Sequence, residues 1–137
     1  ILSIPEPDLN IKRGNNFWTI KEHVIHLEYC QDIVYNRILL FKNEESPIIK
    51  PYFPENDEIA DNFNATKDIL DSFKNKRNKQ LELIYDFKDT DFKKTGNHGE
   101  YKTYNLTILL NHILFHDYWH MYRIEELWLT KDNYLTK

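Results

Sequence analysis

Apolar residues recur at helical spacing in three stretches of this chain, separated by segments rich in proline, glycine and polar residues. The first stretch predicts a helix from about Ile20 to Phe41, with Leu27, Ile33, Val34, Leu40 and Phe41 apolar. Thr19 and Glu22 stand ahead of it as a Thr-x-x-Glu capping box, in which each side chain takes a backbone N–H that the helix start leaves unpaired. A second helix is predicted from about Ala65 to Phe87, with Asn64 as its N-cap and Ile69, Leu70, Phe73, Leu81, Ile84 and Phe87 as its stripe. Between Phe73 and Gln80 that stripe is weak, because nearly every residue is polar. The third helix runs from about Tyr104 to Leu129.

The intervening segments read as connections. Residues 1–17 carry Pro5, Pro7 and Gly14 and predict a leading loop. Glu44 to Pro54 holds three prolines that block a long helix, and a short helical turn is expected over Glu55 to Phe63. Lys88 to Lys102 is a polar loop with Gly96 and Gly99, and is the place for a strand pair if one forms. The fold class expected is all-α, a single helical-bundle domain over residues 1–137, with its long helices packed at shallow angles and no sheet of three or more strands.

Composition supports this and narrows the function. Glycines number 3 and prolines 5, too few for the frequent turns of an all-β fold. A hydrophobic fraction of 41% with 15% aromatics predicts a packed core. The formal charge of −4, from 18 basic and 22 acidic residues, argues against a nucleic-acid partner. No apolar run approaches the ~20 residues that span a bilayer, so no membrane partner is expected. The single cysteine, Cys30, excludes an internal disulfide and fits a cytoplasmic location. The chain opens at Ile1 and its one methionine is Met121, which raises the expectation of a further amphipathic helix upstream, whose absence would expose apolar surface and drive association.

The chemistry-bearing residues are histidines. On a wheel of 100° per residue, His112 and His120 fall within roughly 40° of His116, and Leu109 and Leu127 within roughly 20°. His116 and His120 therefore sit on the apolar face, one turn apart, where two imidazoles can share an ion. His26 shares the inward face of its own helix with Glu22, Cys30, Ile33 and Leu40. Three imidazoles from two facing helices would leave coordination positions open, the arrangement of a catalytic rather than a structural metal. A buried, hydrogen-bonded core role is the alternative for each of them.

Trp18-Thr19-Ile20-Lys21-Glu22 followed by His26-Leu27 resembles the Trp-Ser-x-x-Glu-x-x-x-His-Leu signature of the DinB/YfiT-like superfamily. His116-Asp117-Tyr118-Trp119-His120 resembles its His-Asp-x-x-His pattern on the last helix. The resemblance spans nearly the whole chain and implies a four-helix bundle, whose first helix would lie before Trp18 and is missing here. It implies His26, His116 and His120 as ligands of a divalent ion, zinc or nickel foremost. Members with known activity are metal-dependent transferases or isomerases using low-molecular-weight thiols, others are described as metal-dependent hydrolases, and such proteins often form homodimers. Where the family often carries Gln three residues after its last histidine, this chain has Arg123.

The expected function is accordingly a metal-dependent hydrolase or thiol S-transferase acting on a small molecule, with a non-catalytic metal or small-molecule binding module as the alternative. The catalytic groups are open, with Glu22 and Arg123 as candidates. Arg37 and Arg123 both fall near the centres of their inward faces, where they would suit an anionic substrate. Each can instead snorkel to a bundle end or pair with an acid such as Glu22 or Glu126, the reading expected for Arg37. His112 is expected in a core or supporting role, His23 against Trp18, His98 in solvent, and Cys30 as a small buried hydrophobe.

Overall fold

A computed structural model describes residues 1–52 and 65–136 of the chain. The expected turn over Glu55 to Phe63 and the Asn64 cap lie outside these residues. Three long helices carry the architecture: α2 (Ile20–Asn43), α3 (Thr66–Tyr85) and α4 (Leu106–Leu129), preceded by a single turn, α1 (Glu6–Leu9). That turn corrects the loop expected over residues 1–17, since Pro5 and Pro7 favour the first positions of a helix, where no N–H is needed.

The start of α2 is fixed by the capping box the sequence predicts, with the Thr19 side chain and the Glu22 side chain each taking the other's backbone N–H. Asn105 caps α4 through the Ile108 N–H at 2.9 Å. At the far end of α4, Arg13 donates to the carbonyls of Leu127 and Thr130 and pairs with Asp132, so one guanidinium satisfies two acceptors the helix leaves unpaired.

Helix directions follow from which residues meet. Between α2 and α3 the partners keep a nearly constant offset, Glu28 with Ser72, Asp32 with Lys76 and Gln31 with Gln80, so these helices run parallel. Between α2 and α4 one index rises as the other falls, His23 meeting His120 and His26 meeting His116, so these run antiparallel.

A small sheet closes one end: β1 (Ile48–Ile49), β2 (Thr95–His98) and β3 (Tyr104–Asn105), with β1 parallel and β3 antiparallel to β2. Its strands of two, four and two residues run against the expectation of no three-stranded sheet, while leaving the fold helical. It forms because Gly96 lets β2 pass over the core. A Cβ there would stand 3.0 Å from both Phe41 Cζ and the Pro47 carbonyl oxygen.

The apolar core is divided in two. Ile20, Val24, Ile25, Ile69, Ile124 and Leu127 pack with Ile4 and Leu9 at one end, and Ile38, Phe41, Ile49, Tyr104, Leu106 and Leu109 at the other. The middle of all three helices supplies a polar layer instead. Gln31 and Gln80, each 1% exposed, hold one another there, Gln80 Nε2 donating to the Gln31 carbonyl at 2.7 Å and to its Oε1 at 3.1 Å. Arg77 Nε donates to the same Oε1 at 2.9 Å. The polar run from Phe73 to Gln80 is thus a seam against α2, and burying these groups is tolerated because they are bonded. The outer face of α4 presents Leu114, Phe115, Tyr118, Met121, Tyr122 and Trp128 to solvent. Among the described residues no helix is long and apolar enough to cross a membrane.

Candidate metal centre

The polar layer between the two apolar clusters is where α2 and α4 bring their histidines together. His26 Nε2 and His116 Nε2 lie 3.1 Å apart. The His120 ring is centred 4.7 Å from His26 and 4.5 Å from His116, and its Nδ1 shares a 2.8 Å hydrogen bond with His23 Nδ1. Trp18 closes the group, its ring 5.0 Å from His26 and stacked 5.9 Å from His120. Cys30 Sγ approaches His26 Nε2 to 3.4 Å.

Three ligand atoms, one each from His26, Cys30 and His116, lie within 4.8 Å of one another. Two ligands ~2.0–2.1 Å from a tetrahedral ion stand ~3.3 Å apart, which the 3.1 Å and 3.4 Å separations approach. Protonation fits as well, since a ligand imidazole must be neutral. Burial pushes His26 down to about 4 and His120 down to about 2, in both cases helped by neighbouring histidines. His23 falls to about 4 through burial and then the Arg123 charge, and His116 is lowered by burial against the opposing pull of Asp117. Burial drives the Cys30 thiol up to about 12, so it is protonated at neutral pH.

The Nδ1 atoms have their own neighbours. His120 Nδ1 faces His23, His116 Nδ1 stands 4.0 Å from Asp117 Oδ1, and His26 Nδ1 stands 4.0 Å from Cys30 Sγ. Asp117 is itself held by Arg77 at 2.8 Å, which ties the histidine group to the glutamine seam.

The group is open on one side. A pocket of about 530 Å³ has His26, Cys30, His116, Asp117 and Arg37 among its lining residues, with Ile33, Val34, Leu109 and Ile113 as apolar wall. A second, of about 540 Å³, lies on the Trp18 and His23 side, with Arg123 and Trp119.

The sequence pattern of the DinB superfamily matches residues 1–124, and with them both histidine-bearing helices. The chain belongs to the DinB superfamily. Among solved structures this DinB superfamily member is similar to YfiT from Bacillus subtilis, with 22% identity and a TM-score of 0.77 over 93% of this chain and 74% of that one. YfiT is described as a probable metal-dependent hydrolase with an unusual four-helix bundle topology. At that identity the likeness carries the fold. No curated protein matches the chain.

Other predicted residues fall differently. Glu22 is occupied by the Thr19 cap and by Lys12 at 3.0 Å. Arg123 pairs with Glu126 and donates to the Thr136 carbonyl at 2.9 Å. Arg37, expected to snorkel or pair with an acid, has no carboxylate within 4.0 Å among the described residues and lines the 530 Å³ pocket, while Arg123, for which both readings were open, is the paired one. His112 is exposed at the pocket rim and bonded to the Tyr101 hydroxyl at 2.7 Å. His98, expected in solvent, is buried against Tyr101 and Tyr104 because the sheet folds it inward. The His23–His120 bond was not anticipated, although His23 lies three residues before His26 and so close to the same helix face.

Proposed function

We propose that this protein is a metal-dependent enzyme, a hydrolase or low-molecular-weight-thiol S-transferase, acting on a small molecule in the 530 Å³ pocket. The ligands proposed are His26, His116 and His120, each through Nε2, for one zinc or nickel ion. The observation that carries the reading is the meeting of His26 and His116 from opposed helices at the pocket floor, 3.1 Å apart.

When bound, a divalent ion held by three imidazoles supplies a Lewis acid and lowers the pKa of an exchangeable ligand. This chain's own residues do the rest. With His120 bound through Nε2, its Nδ1–H would donate to His23 Nδ1 and its tautomer would be fixed, while the Asp117 carboxylate, 4.0 Å from His116 Nδ1, supplies a negative charge beside that ring. Ile33, Val34, Leu109 and Ile113 give the pocket leading to the histidines an apolar wall.

The reading is tested by metal analysis of untagged protein. Wild type and Cys30→Ala should carry one ion per chain, and His26→Ala, His116→Ala and His120→Ala should lose it. Full retention in the His120 variant with loss in the Cys30 variant would replace the ligand set with His26, Cys30 and His116. One observation favours the non-catalytic alternative: Asp117, the carboxylate among the described lining residues, is held by Arg77 and so is not free to act as a base. An ion that binds stoichiometrically without turnover of ester, amide or thiol-acceptor panels would support that alternative.

A further inference from the structure

The pocket beside the histidines carries a cation that the proposed metal chemistry does not use. Arg37 lies on α2 eleven residues after His26, which is roughly 16 Å along the helix axis and three turns away on the same side. Its Nη2 donates to the Lys50 carbonyl at 2.8 Å and its guanidinium also faces the Tyr104 hydroxyl, which leaves part of the five-donor fork for a ligand. No carboxylate lies within 4.0 Å of it among the described residues, whereas Arg13, Arg77 and Arg123 each have one. Ile33, Val34, Leu109 and Ile113 give the lining between Arg37 and the histidines its apolar part. A half-buried guanidinium with no carboxylate beside it among the described residues, set in such a wall, is costly unless something anionic joins it. Its positive charge reaches its surroundings, acting on Cys30, His98 and the buried Tyr104 hydroxyl beside it.

We infer that the pocket takes an elongated small carboxylate, with its anionic end on Arg37, its apolar body along Ile33, Val34, Leu109 and Ile113, and its opposite end at His26 and His116. The inference rests on the reading of this pocket as the substrate site. Arg37 is the specificity residue in it: a planar guanidinium pairs two-pronged with a carboxylate and rejects the neutral isostere, because the cation would then be left dehydrated and unpaired.

Calorimetric titration of the full chain with 4-phenylbutyrate and with 4-phenylbutanol tests this, run on the metal-loaded protein and again in chelator. A carboxylate can also ligate the ion, so the chelated arm isolates the contribution of Arg37. The acid should bind about tenfold more tightly than the alcohol in both arms, the gain of a charge-assisted pair. Arg37→Gln should abolish that preference, and Arg37→Lys, which keeps the charge without the fork, should retain part of it. Equal binding of acid and alcohol, no binding of either, or a preference that survives Arg37→Gln would overturn the inference. A chain that holds no metal yet keeps the Arg37-dependent preference would instead sink the proposed enzyme and leave the carboxylate site standing.

Discussion

Acidifying the metal-free protein from pH 7.5 to 5.5 should strip away a calculable part of its stability. His23, His26 and His120 are 3%, 4% and 2% exposed, and burial holds the first two near 4 and the last near 2. In the unfolded chain each returns to about 6.5. Over this window the unfolded state therefore takes up protons that the native state refuses, and folding free energy falls as pH falls. For a group at about 6.5 in the unfolded chain and below about 4.5 in the native one, the loss is about 1.4 kcal/mol across these two pH units, whatever the native value is. Three such histidines give about 4 kcal/mol, a large share of the ~5–15 kcal/mol that holds a domain folded. The stability is fully present above pH ~7 and continues to fall until the native histidines titrate. Urea unfolding followed by circular dichroism in chelator measures it, and His120→Gln should reduce the loss by about 1.4 kcal/mol. An unfolding free energy flat within about 0.5 kcal/mol over the window would refute the claim that these rings are buried and neutral.

Gly96→Ala should lower stability by about 1–3 kcal/mol, since the new methyl meets Phe41 and the Pro47 carbonyl oxygen at 3.0 Å; thermal unfolding would show it, and an unchanged Tm would mean that the sheet is free to shift. Thr19→Ala removes the cap of α2 and should cost about 1 kcal/mol in the same assay, against a null effect if Glu22 alone holds the helix start. Gln80→Leu leaves the buried Gln31 oxygen with Arg77 alone, and a loss of about 1–3 kcal/mol in urea is expected. We also propose that the chain forms a homodimer through the outer face of α4, whose apolar side chains are interrupted by Glu125; Met121→Glu should then convert a dimer to a monomer in sedimentation, and a monomeric wild type would end the proposal.

Much of this arrangement was legible in local chemistry. The Thr19–Glu22 box placed the first residue of α2, and periodicity set the far end of α4 at Leu129, because both signals lie within a turn or two of the boundary they mark. The inward placement of His26, His116 and His120 was likewise a matter of angle on one helix. What could not be read depends on partners distant in sequence. Thr95-Gly96-Asn97-His98 has no alternating apolar pattern, and becomes a strand because Ile48–Ile49 and Tyr104–Asn105 lie on either side of it. His98 is buried for the same reason. The polar run of α3 looked like a weak stripe, since nothing local shows that Gln31 on another helix completes it. Arg37 and Arg123 were indistinguishable on their wheels, and only the return of the chain at Thr136 and the pairing with Glu126 separate them.

The indole of Trp18, lying over three of the histidines at 5.0 to 5.9 Å, turns the site into its own optical gauge. An ion seated among those rings is within electron-exchange distance of an excited tryptophan. Open-shell nickel or copper there would darken the emission, while closed-shell zinc would leave it bright and merely shift its colour as the rings lock. A metal bound there would thus be readable in the purified chain without a label, through the share of Trp18 in an emission that Trp119 and Trp128 also supply.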